Sequence, residues 1–304
     1  MKLKTKDLLT LAELTPKEFV GLIDDSIKLK KEFKKNGNKP ILKNKTLTMI
    51  FQKPSTRTRV SFEIAMYQLG GHAVNLSSND MQLSRGESVE DTAKTLSRYS
   101  NCIMARVYDH KLLETLAEHA SIPVINGLSD TFHPCQILAD FMTIKEKKKK
   151  LKGIKITWIG DGNNVCNSMI YGAALSGVNM SIATPKGFEP NKDVVKEAKK
   201  TTNIELTTDP FAAAKNADVI VADTFASIHN LDKKRLQKFL PKYQINDKLM
   251  KSAKKDAIFL HCLPAKREQE VTSSVIDGPQ SVVWDEAENR LHTQKALLAA
   301  LIRA

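Results

Sequence analysis

Leu47-Thr48-Met49-Ile50-Phe51, followed by Gln52-Lys53-Pro54-Ser55-Thr56-Arg57-Thr58-Arg59, is the stretch that decides the fold. The first five residues read as a buried strand. Val60, Phe62, Ile64, Ala65 and Met66 then carry a helical pattern that ends at Leu69-Gly70-Gly71. Three hydroxyls and two guanidiniums near residues 55–59 therefore gather at a strand-to-helix turn. A helix N-terminus offers unpaired N–H groups and a partial positive charge, so it suits a phosphate. Arginines add bidentate, charge-assisted hydrogen bonds. The plainer alternative for these residues alone is a capped helix with solvated arginines.

Working outward, the same rhythm repeats. Apolar runs at Ala73–Leu76, Cys102–Val107 and Val124–Leu128 read as strands, with helical patterns such as Ser88–Tyr99 between them. A long helix is expected from Pro134 to Lys150. Upstream, residues 5–35 form a helical lead-in, in which Thr15-Pro16-Lys17-Glu18 has the form of an N-cap. A second set of strands is expected at Ile154–Ile159, Met180–Thr184, Val219–Ala222, Ile258–Leu260 and Val282–Trp284, with a final helix from Thr293 to Arg303. Strands separated by helices imply parallel sheets. The fold class is therefore α/β: two parallel-sheet α/β domains joined near Lys145–Gly153, as a length of 304 residues also favours. Residues 226–250 are polar and lysine-rich, without strand character, and are expected to be a mobile loop.

Lys and Arg (47) exceed Asp and Glu (34) by 13. A basic balance fits nucleic acid, a membrane surface or an anionic substrate. The densest run, Lys145 to Lys152, interrupted by Glu146 and Leu151, reads as a solvated helix end. No aromatic-interleaved basic patch accompanies it, which argues against nucleic acid. No apolar run is long enough to span a membrane. Met1-Lys2-Leu3-Lys4-Thr5-Lys6 lacks the apolar core of a signal peptide, so a cytoplasmic protein is expected. Cys102, Cys135, Cys166 and Cys262 are scattered without a C-x-x-C pair, which argues against structural zinc or disulfides and leaves them as buried small hydrophobes.

Ligands of open α/β sheets bind beyond the C-terminal strand ends. Polar residues recur there: Ser55 to Arg59, Arg106, Asp130 to Gln136, Gly160-Asp161-Gly162-Asn163-Asn164, Asp223, His261-Cys262-Leu263-Pro264, and Asp285-Glu286 with Arg290. Each has a bland account alone, as a cap, a turn or packing. Seven such pieces at the C-terminal strand ends are harder to dismiss.

At this point the likeness is specific. Ser55-Thr56-Arg57-Thr58-Arg59, His133-Pro134-Cys135-Gln136 and His261-Cys262-Leu263-Pro264 resemble, in order and spacing, the three hallmark motifs of ornithine carbamoyltransferases. The likeness extends over essentially the whole chain and includes Asp285 to Arg290. The first two motifs are shared with the wider carbamoyltransferase family; the third points to the ornithine branch.

The resemblance implies transfer of the carbamoyl group of carbamoyl phosphate to the δ-amine of L-ornithine, giving L-citrulline and phosphate, a step of arginine metabolism. It implies a carbamoyl phosphate-binding domain of residues 1–148, joined by the C-terminal helix 290–304. An ornithine-binding domain of residues 149–289 completes the chain, with the active site in the cleft between the two. Ser55, Thr56, Arg57 and Thr58 would hold the phosphate. Thr58, Arg106 and His133 would face the carbonyl oxygen, where charge develops. Gln136 and the Leu263 carbonyl would hold the carbamoyl NH₂, with Cys262 beside it. Arg290 would close on the ligand from the second-domain side. Gln82 matches a position that in this family reaches into a neighbouring subunit's site, which implies a homotrimer or a multiple of trimers. Asp223 and Cys262 would orient the attacking amine; Asn164, Ser227 and Ile228 would bind the rest of ornithine. Arg106, His133, Cys262 and Asp223 are the catalytic group, and no cofactor or metal is implied.

One departure concerns the acceptor. Ornithine enzymes usually carry Ser-Met-Gly where this chain has Ser227-Ile228-His229. Losing Gly removes a residue tolerant of positive φ, and His229 adds a group that titrates near neutrality. Putrescine or another amine is the alternative acceptor. Two rivals of other classes remain. Ile159-Gly160-Asp161-Gly162-Asn163-Asn164 begins like a dinucleotide fingerprint but lacks the third glycine and the ribose-binding acid. A binding protein on an inactive carbamoyltransferase scaffold is permitted by fold alone, yet the phosphate-binding residues are all present.

Overall fold

A computed structural model describes residues 1–225 and 233–302. Packing divides the chain into two units, Met1–Met142 with Glu288–Ala304, and Thr143–Ala287.

The first unit opens with helix α1 (Pro16–Asn36), started by a capping box in which Thr15 and Glu18 bond each other's backbone N–H. Then follow β1 (Thr46–Phe51), α2 (Thr56–Gln68), β2 (His72–Ser77), α3 (Val89–Tyr99), β3 (Cys102–Arg106), α4 (His110–His119), β4 (Val124–Leu128) and α5 (Pro134–Lys148). The four strands are parallel in the order β2-β1-β3-β4. Ile50, Ile103, Ala105, Leu113, Leu116 and Val124 build the core between β1, β3, β4 and α4. The order reverses between β1 and β3, which makes the crevice at their C-terminal ends the expected ligand position.

The second unit contains β5 (Lys155–Ile159), α6 (Asn164–Ser176), β6 (Asn179–Ala183), α7 (Lys192–Ala198), β7 (Ile204–Thr207), α8 (Pro210–Ala214), β8 (Val219–Ala222), α9 (Lys233–Phe239), α10 (Asp247–Met250), β9 (Ile258–His261) and α11 (Ser273–Ile276). Its parallel sheet has the order β7-β6-β5-β8-β9, and the order reverses between β5 and β8. Ile220, Phe225, Phe239, Phe259 and Val271 pack the core on one face. The last helix, α12 (Val283–Ile302), starts in this unit and ends in the first.

The structure corrects three expectations. Residues 282–284 are not a strand: Val283 begins α12, and Trp284 is two-thirds exposed. β7 was not anticipated; it is an edge strand with a single buried residue, Ile204. The lysine-rich stretch beyond residue 232 carries α9 and α10 rather than being a structureless loop. The two unit boundaries fall inside α5 and α12, so no loop marks them in the sequence.

The glycines of Gly160-Asp161-Gly162 serve packing within the second unit. A Cβ on Gly162 would lie 2.2 Å from Pro190 N, which accounts for that glycine without a dinucleotide.

Candidate functional site

In the first unit the site forms at the C-terminal ends of β1 and β3. Ser55 is the N-cap of α2, and its hydroxyl accepts the Thr58 N–H at 3.2 Å. Capping turns Thr58 inward, where it is buried. Its Oγ1 accepts from Arg106 Nη1 at 3.3 Å and from Arg290 Nη2 at 3.2 Å. The Arg106–Thr58 bond therefore crosses the switch point between β1 and β3. Arg290 Nη1 also donates to Gln136 Oε1 at 2.6 Å, and Gln136 Nε2 donates to Asp140 Oδ1 at 2.8 Å, one helical turn further along α5. Arg57 is half-buried at the start of α2, whereas Thr56 and Arg59 are exposed.

His133 lies buried immediately before α5. Burial holds its imidazole well below its ordinary pKa, and Arg290, Arg106 and Arg57 push it further the same way. The ring is therefore neutral at physiological pH and surrounded by guanidinium charge. Lys53 is also pulled down, first by burial and then by Arg106, and its ammonium sits 4.2 Å from the Tyr108 ring centroid. The arrangement is a dense set of donors suited to an anion with a planar carbonyl-bearing group. Arg290 belongs to this unit, bonded to Thr58 and Gln136, which corrects the expectation that it closes from the second-domain side. Gln82 stands apart: it is exposed on a 3₁₀ turn and makes no hydrogen bond to this cluster among the described residues.

In the second unit a matching site forms at the ends of β5 and β8. Asn163 is the N-cap of α6, and its Oδ1 accepts from Val165 N–H and Cys166 N–H. Its Nδ2 donates to Asp223 Oδ2 at 2.7 Å, which bridges this sheet's switch point. Asp223 Oδ1 accepts the Thr224 N–H at 2.7 Å and the Cys262 thiol at 3.2 Å. Asn164 is the next residue of α6, half-buried beside its cap. Ser227, Ile228 and His229 lie outside the described residues. Asp161 is pushed up to about 6, chiefly by burial, against the opposing charge of Arg235. Arg235 bonds its carboxylate and also donates from Nε to the Phe225 carbonyl at 2.8 Å.

Cys262 is half-buried, unlike Cys102, Cys135 and Cys166, which are buried as expected. Leu263 follows it at φ 55°, a left-handed conformation unusual for a branched side chain. The ligand atoms of Asp223, His261 and Cys262 lie within 4.8 Å of one another. His261 Nδ1, however, accepts the Leu263 N–H at 2.9 Å, and its Nε2 faces Glu270 Oε1 at 3.4 Å. The imidazole is thus committed to its own loop, and the trio reads as a positioned thiol–carboxylate pair rather than a metal centre.

Two polar residues of these clusters, Asp140 and Glu270, were not singled out by sequence reasoning. Asp140 orients Gln136, and its i, i+4 spacing on α5 was a usable signal. Glu270 backs His261, and for it the sequence carried no local signal. Asn163 stood among the strand-end residues, but its bond to Asp223, sixty residues on, was not legible there.

Comparison with known proteins agrees with this geometry. Residues 6–146 match the aspartate/ornithine carbamoyltransferase carbamoyl-P binding domain, and residues 152–301 match the aspartate/ornithine carbamoyltransferase Asp/Orn binding domain. An ornithine carbamoyltransferase of Cenarchaeum symbiosum is 61% identical over 301 residues, covering 99% of each chain. One of Pyrococcus horikoshii is 53% identical over 310 residues, covering 99% of this chain and 97% of its own. The solved ornithine carbamoyltransferase of Pyrococcus furiosus has a TM-score of 0.95 at 51% identity, over 98% of this chain and 97% of its own. That of Thermus thermophilus has a TM-score of 0.91 at 43% identity, over 98% of this chain and 99% of its own. With both sheets carrying a side-chain bridge at the switch point, and with both domain matches in place, the chain belongs to the aspartate/ornithine carbamoyltransferase family.

Proposed function

We propose that this chain transfers the carbamoyl group of carbamoyl phosphate to the δ-amine of L-ornithine, giving L-citrulline and phosphate. The observation that carries the reading is the Thr58 hydroxyl, buried and held by both Arg106 and Arg290 beside a neutral His133. Ser55, Thr56, Arg57 and Thr58 take the phosphate, on the N-terminus of α2. Thr58, Arg106 and His133 take the carbonyl oxygen. A neutral imidazole donates a hydrogen bond without giving up its proton, which suits an oxygen that gains charge only in the transition state. Gln136, pinned by Asp140 and Arg290, takes the carbamoyl NH₂ together with the Leu263 carbonyl, with Cys262 beside it.

The amine attacks the carbonyl carbon with its lone pair. The bond between that carbon and the phosphate oxygen then breaks, and the departing phosphate carries away the proton the nitrogen sheds. The amine must arrive neutral, although a free alkylammonium has a pKa near 10. Asp223 and Cys262 orient it, and Asn164, Ser227 and Ile228 hold the remainder of the acceptor.

The described residues hold no helix long and apolar enough to cross a membrane. We assign the protein to the cytoplasm and to a homotrimer or a multiple of trimers, in which Gln82 completes a neighbouring subunit's site. Val60, Ile64 and Tyr67, exposed at i, i+4 and i+7 on α2, supply an apolar stripe for such contacts.

Citrulline formation from carbamoyl phosphate and ornithine tests the reading; no carbamoylated product with any amine overturns it. Ser227-Ile228-His229 keeps putrescine as the second acceptor. Competing the two amines in one assay decides between them, and a preference for putrescine overturns the choice of ornithine.

A further inference from the structure

The mechanism uses Cys262 and Leu263 but leaves the residues beneath them without a role. Cys262 and Leu263 sit on the turn that leaves β9, and that turn is held from below by buried polar groups. His261 and Glu270 are both fully buried, and Glu286 nearly so. Glu286 Oε2 accepts the His261 N–H at 2.8 Å, which fixes the end of the strand. Glu270 Oε1 accepts the Lys266 N–H at 2.5 Å, which fixes the far end of the turn. The same oxygen faces His261 Nε2 at 3.4 Å, a polar contact too poorly aligned to count as a hydrogen bond. Because Nδ1 accepts the Leu263 N–H, a ring proton belongs on Nε2, the nitrogen that faces Glu270.

We propose that Glu270 is a positioning residue for the amine half of the reaction: through His261 and Lys266 it holds the turn that presents Cys262 and Leu263 to Asp223. Glu270 Oε2 has no hydrogen-bond partner among the described residues. A buried carboxyl group with one oxygen unpartnered costs stability that an apolar side chain of similar volume would not. Such a cost is retained where local geometry is needed for function. The geometry in question is visible: Leu263 stands at φ 55°, which a leucine adopts only when its surroundings over-determine it. The Leu263 N–H bond to His261 is one such constraint, and Glu270 sets the imidazole that makes it. In the other direction the turn delivers the Cys262 thiol to Asp223 Oδ1 at 3.2 Å.

The inference rests on the carbamoyl-transfer reading, so the test carries one readout that needs no turnover. Glu270→Gln keeps an acceptor for Lys266 and keeps the volume, whereas Glu270→Leu keeps the volume alone. In full-length protein, Glu270→Gln is expected to stay within about threefold of wild type in kcat/KM for ornithine, and Glu270→Leu to fall by about thirtyfold, the scale of leaving buried donors unpartnered. Carbamoyl phosphate affinity, read by calorimetry, is expected to fall less than kcat/KM, since the Leu263 carbonyl lies on this turn while the proposed ligands in the first unit are untouched. Cys262 is the one cysteine that is not buried, so the first thiol to react with iodoacetamide reports the turn directly. Its rate should change severalfold in Glu270→Leu and not in Glu270→Gln. If Glu270→Leu does not fold, His261→Asn replaces it, since Asn offers an acceptor near Nδ1 but nothing at Nε2; the same losses are expected. A wild-type thiol rate and wild-type kcat/KM in either variant, or an equal loss of carbamoyl phosphate affinity, overturns the proposal. Absence of citrulline with wild-type protein overturns the carbamoyl-transfer reading instead, while the thiol rates still judge Glu270.

Discussion

Thr58→Val is the sharpest test of the anion site. Valine matches threonine in shape and branching, so it fills the same volume at the start of α2. The Ser55 cap is kept, because its partner at residue 58 is the backbone N–H. What is lost is one buried oxygen that accepts from Arg106 at 3.3 Å and from Arg290 at 3.2 Å. Both bonds are long for charge-assisted ones, so the low end of the range applies, about 1.5 kcal/mol each and about 3 kcal/mol together. That sum corresponds to roughly 150-fold in affinity if the hydroxyl's ordering of the two guanidiniums is fully expressed in ligand binding. Part of the loss already falls on the free protein, so an observed weakening between about tenfold and 150-fold is expected. Calorimetric titration with carbamoyl phosphate measures it, with a thermal melt of the free variant run alongside. A variant that melts like wild type and binds within about threefold of it refutes the reasoning, because Thr58 would then not organise the site.

Three further outcomes follow from individual contacts. Asn163→Asp retains the cap of α6 but sets a carboxylate against Asp223, so Tm should hold while turnover with the amine falls at least tenfold or so; unchanged turnover counts against Asp223 as the amine's partner. Lys295 is fully buried, bonded to Asn38 and Gln68, and burial draws its pKa from 10.5 down to about 8. The folded state therefore binds that proton less tightly than the unfolded chain, so the destabilisation is complete below the folded pKa and fades as pH rises towards the unfolded value. In melts from about pH 7 to about pH 10, Tm of wild type should gain on that of Lys295→Met, and parallel curves would exclude this titration. Gln82→Ala should lower activity, and mixing it with inactive Arg57→Ala protein under subunit exchange should restore part of it; no restoration would remove Gln82 from a neighbour's site.

Much of the fold was legible because parallel strands buried on both faces read as continuous apolar runs. β1, β3, β4, β5, β6, β8 and β9 each appear so in the sequence. β7 escaped because its residues Ile204-Glu205-Leu206-Thr207 alternate at a sheet edge, where only Ile204 is buried. Val282-Val283-Trp284 misled for the opposite reason: β-branched and aromatic residues imitate a strand, yet here they open a helix and leave Trp284 in solvent. At the sites, the residues proposed to touch substrate were legible because their chemistry is concentrated in short motifs at strand ends. The contacts that hold them were not. Asn163 and Asp223 meet only because β5 and β8 are neighbours in the sheet, and no periodicity in the chain encodes that pairing.

The two sites occupy equivalent positions in their sheets but carry opposite charge, and this sorts the substrates. Carbamoyl phosphate is an anion, and in the proposed reaction the first unit would meet it with Arg57, Arg106, Arg290 and a histidine that stays neutral. The acceptor amine arrives in water as a cation, and in the same proposal the second unit would meet it with Asp223. A bare carboxylate would stabilise the ammonium form and so oppose the reaction, which needs the free lone pair. Asp223 is not bare. It already accepts from Asn163, from the Thr224 N–H and from the Cys262 thiol, three of roughly four directions a carboxylate offers. Those donors disperse its charge and, among the described residues, leave one direction for an N–H. The group can then orient an amine while favouring its protonated form less than an isolated carboxylate would. On this argument Asn163 and Cys262 matter less as contacts to ornithine than as a means of moderating Asp223. Cys262→Ala should then raise the apparent pKa of kcat at saturating amine, because one fewer donor leaves Asp223 a better partner for bound ammonium. A profile that keeps its wild-type pKa while falling uniformly in height would instead assign the thiol to direct contact with substrate.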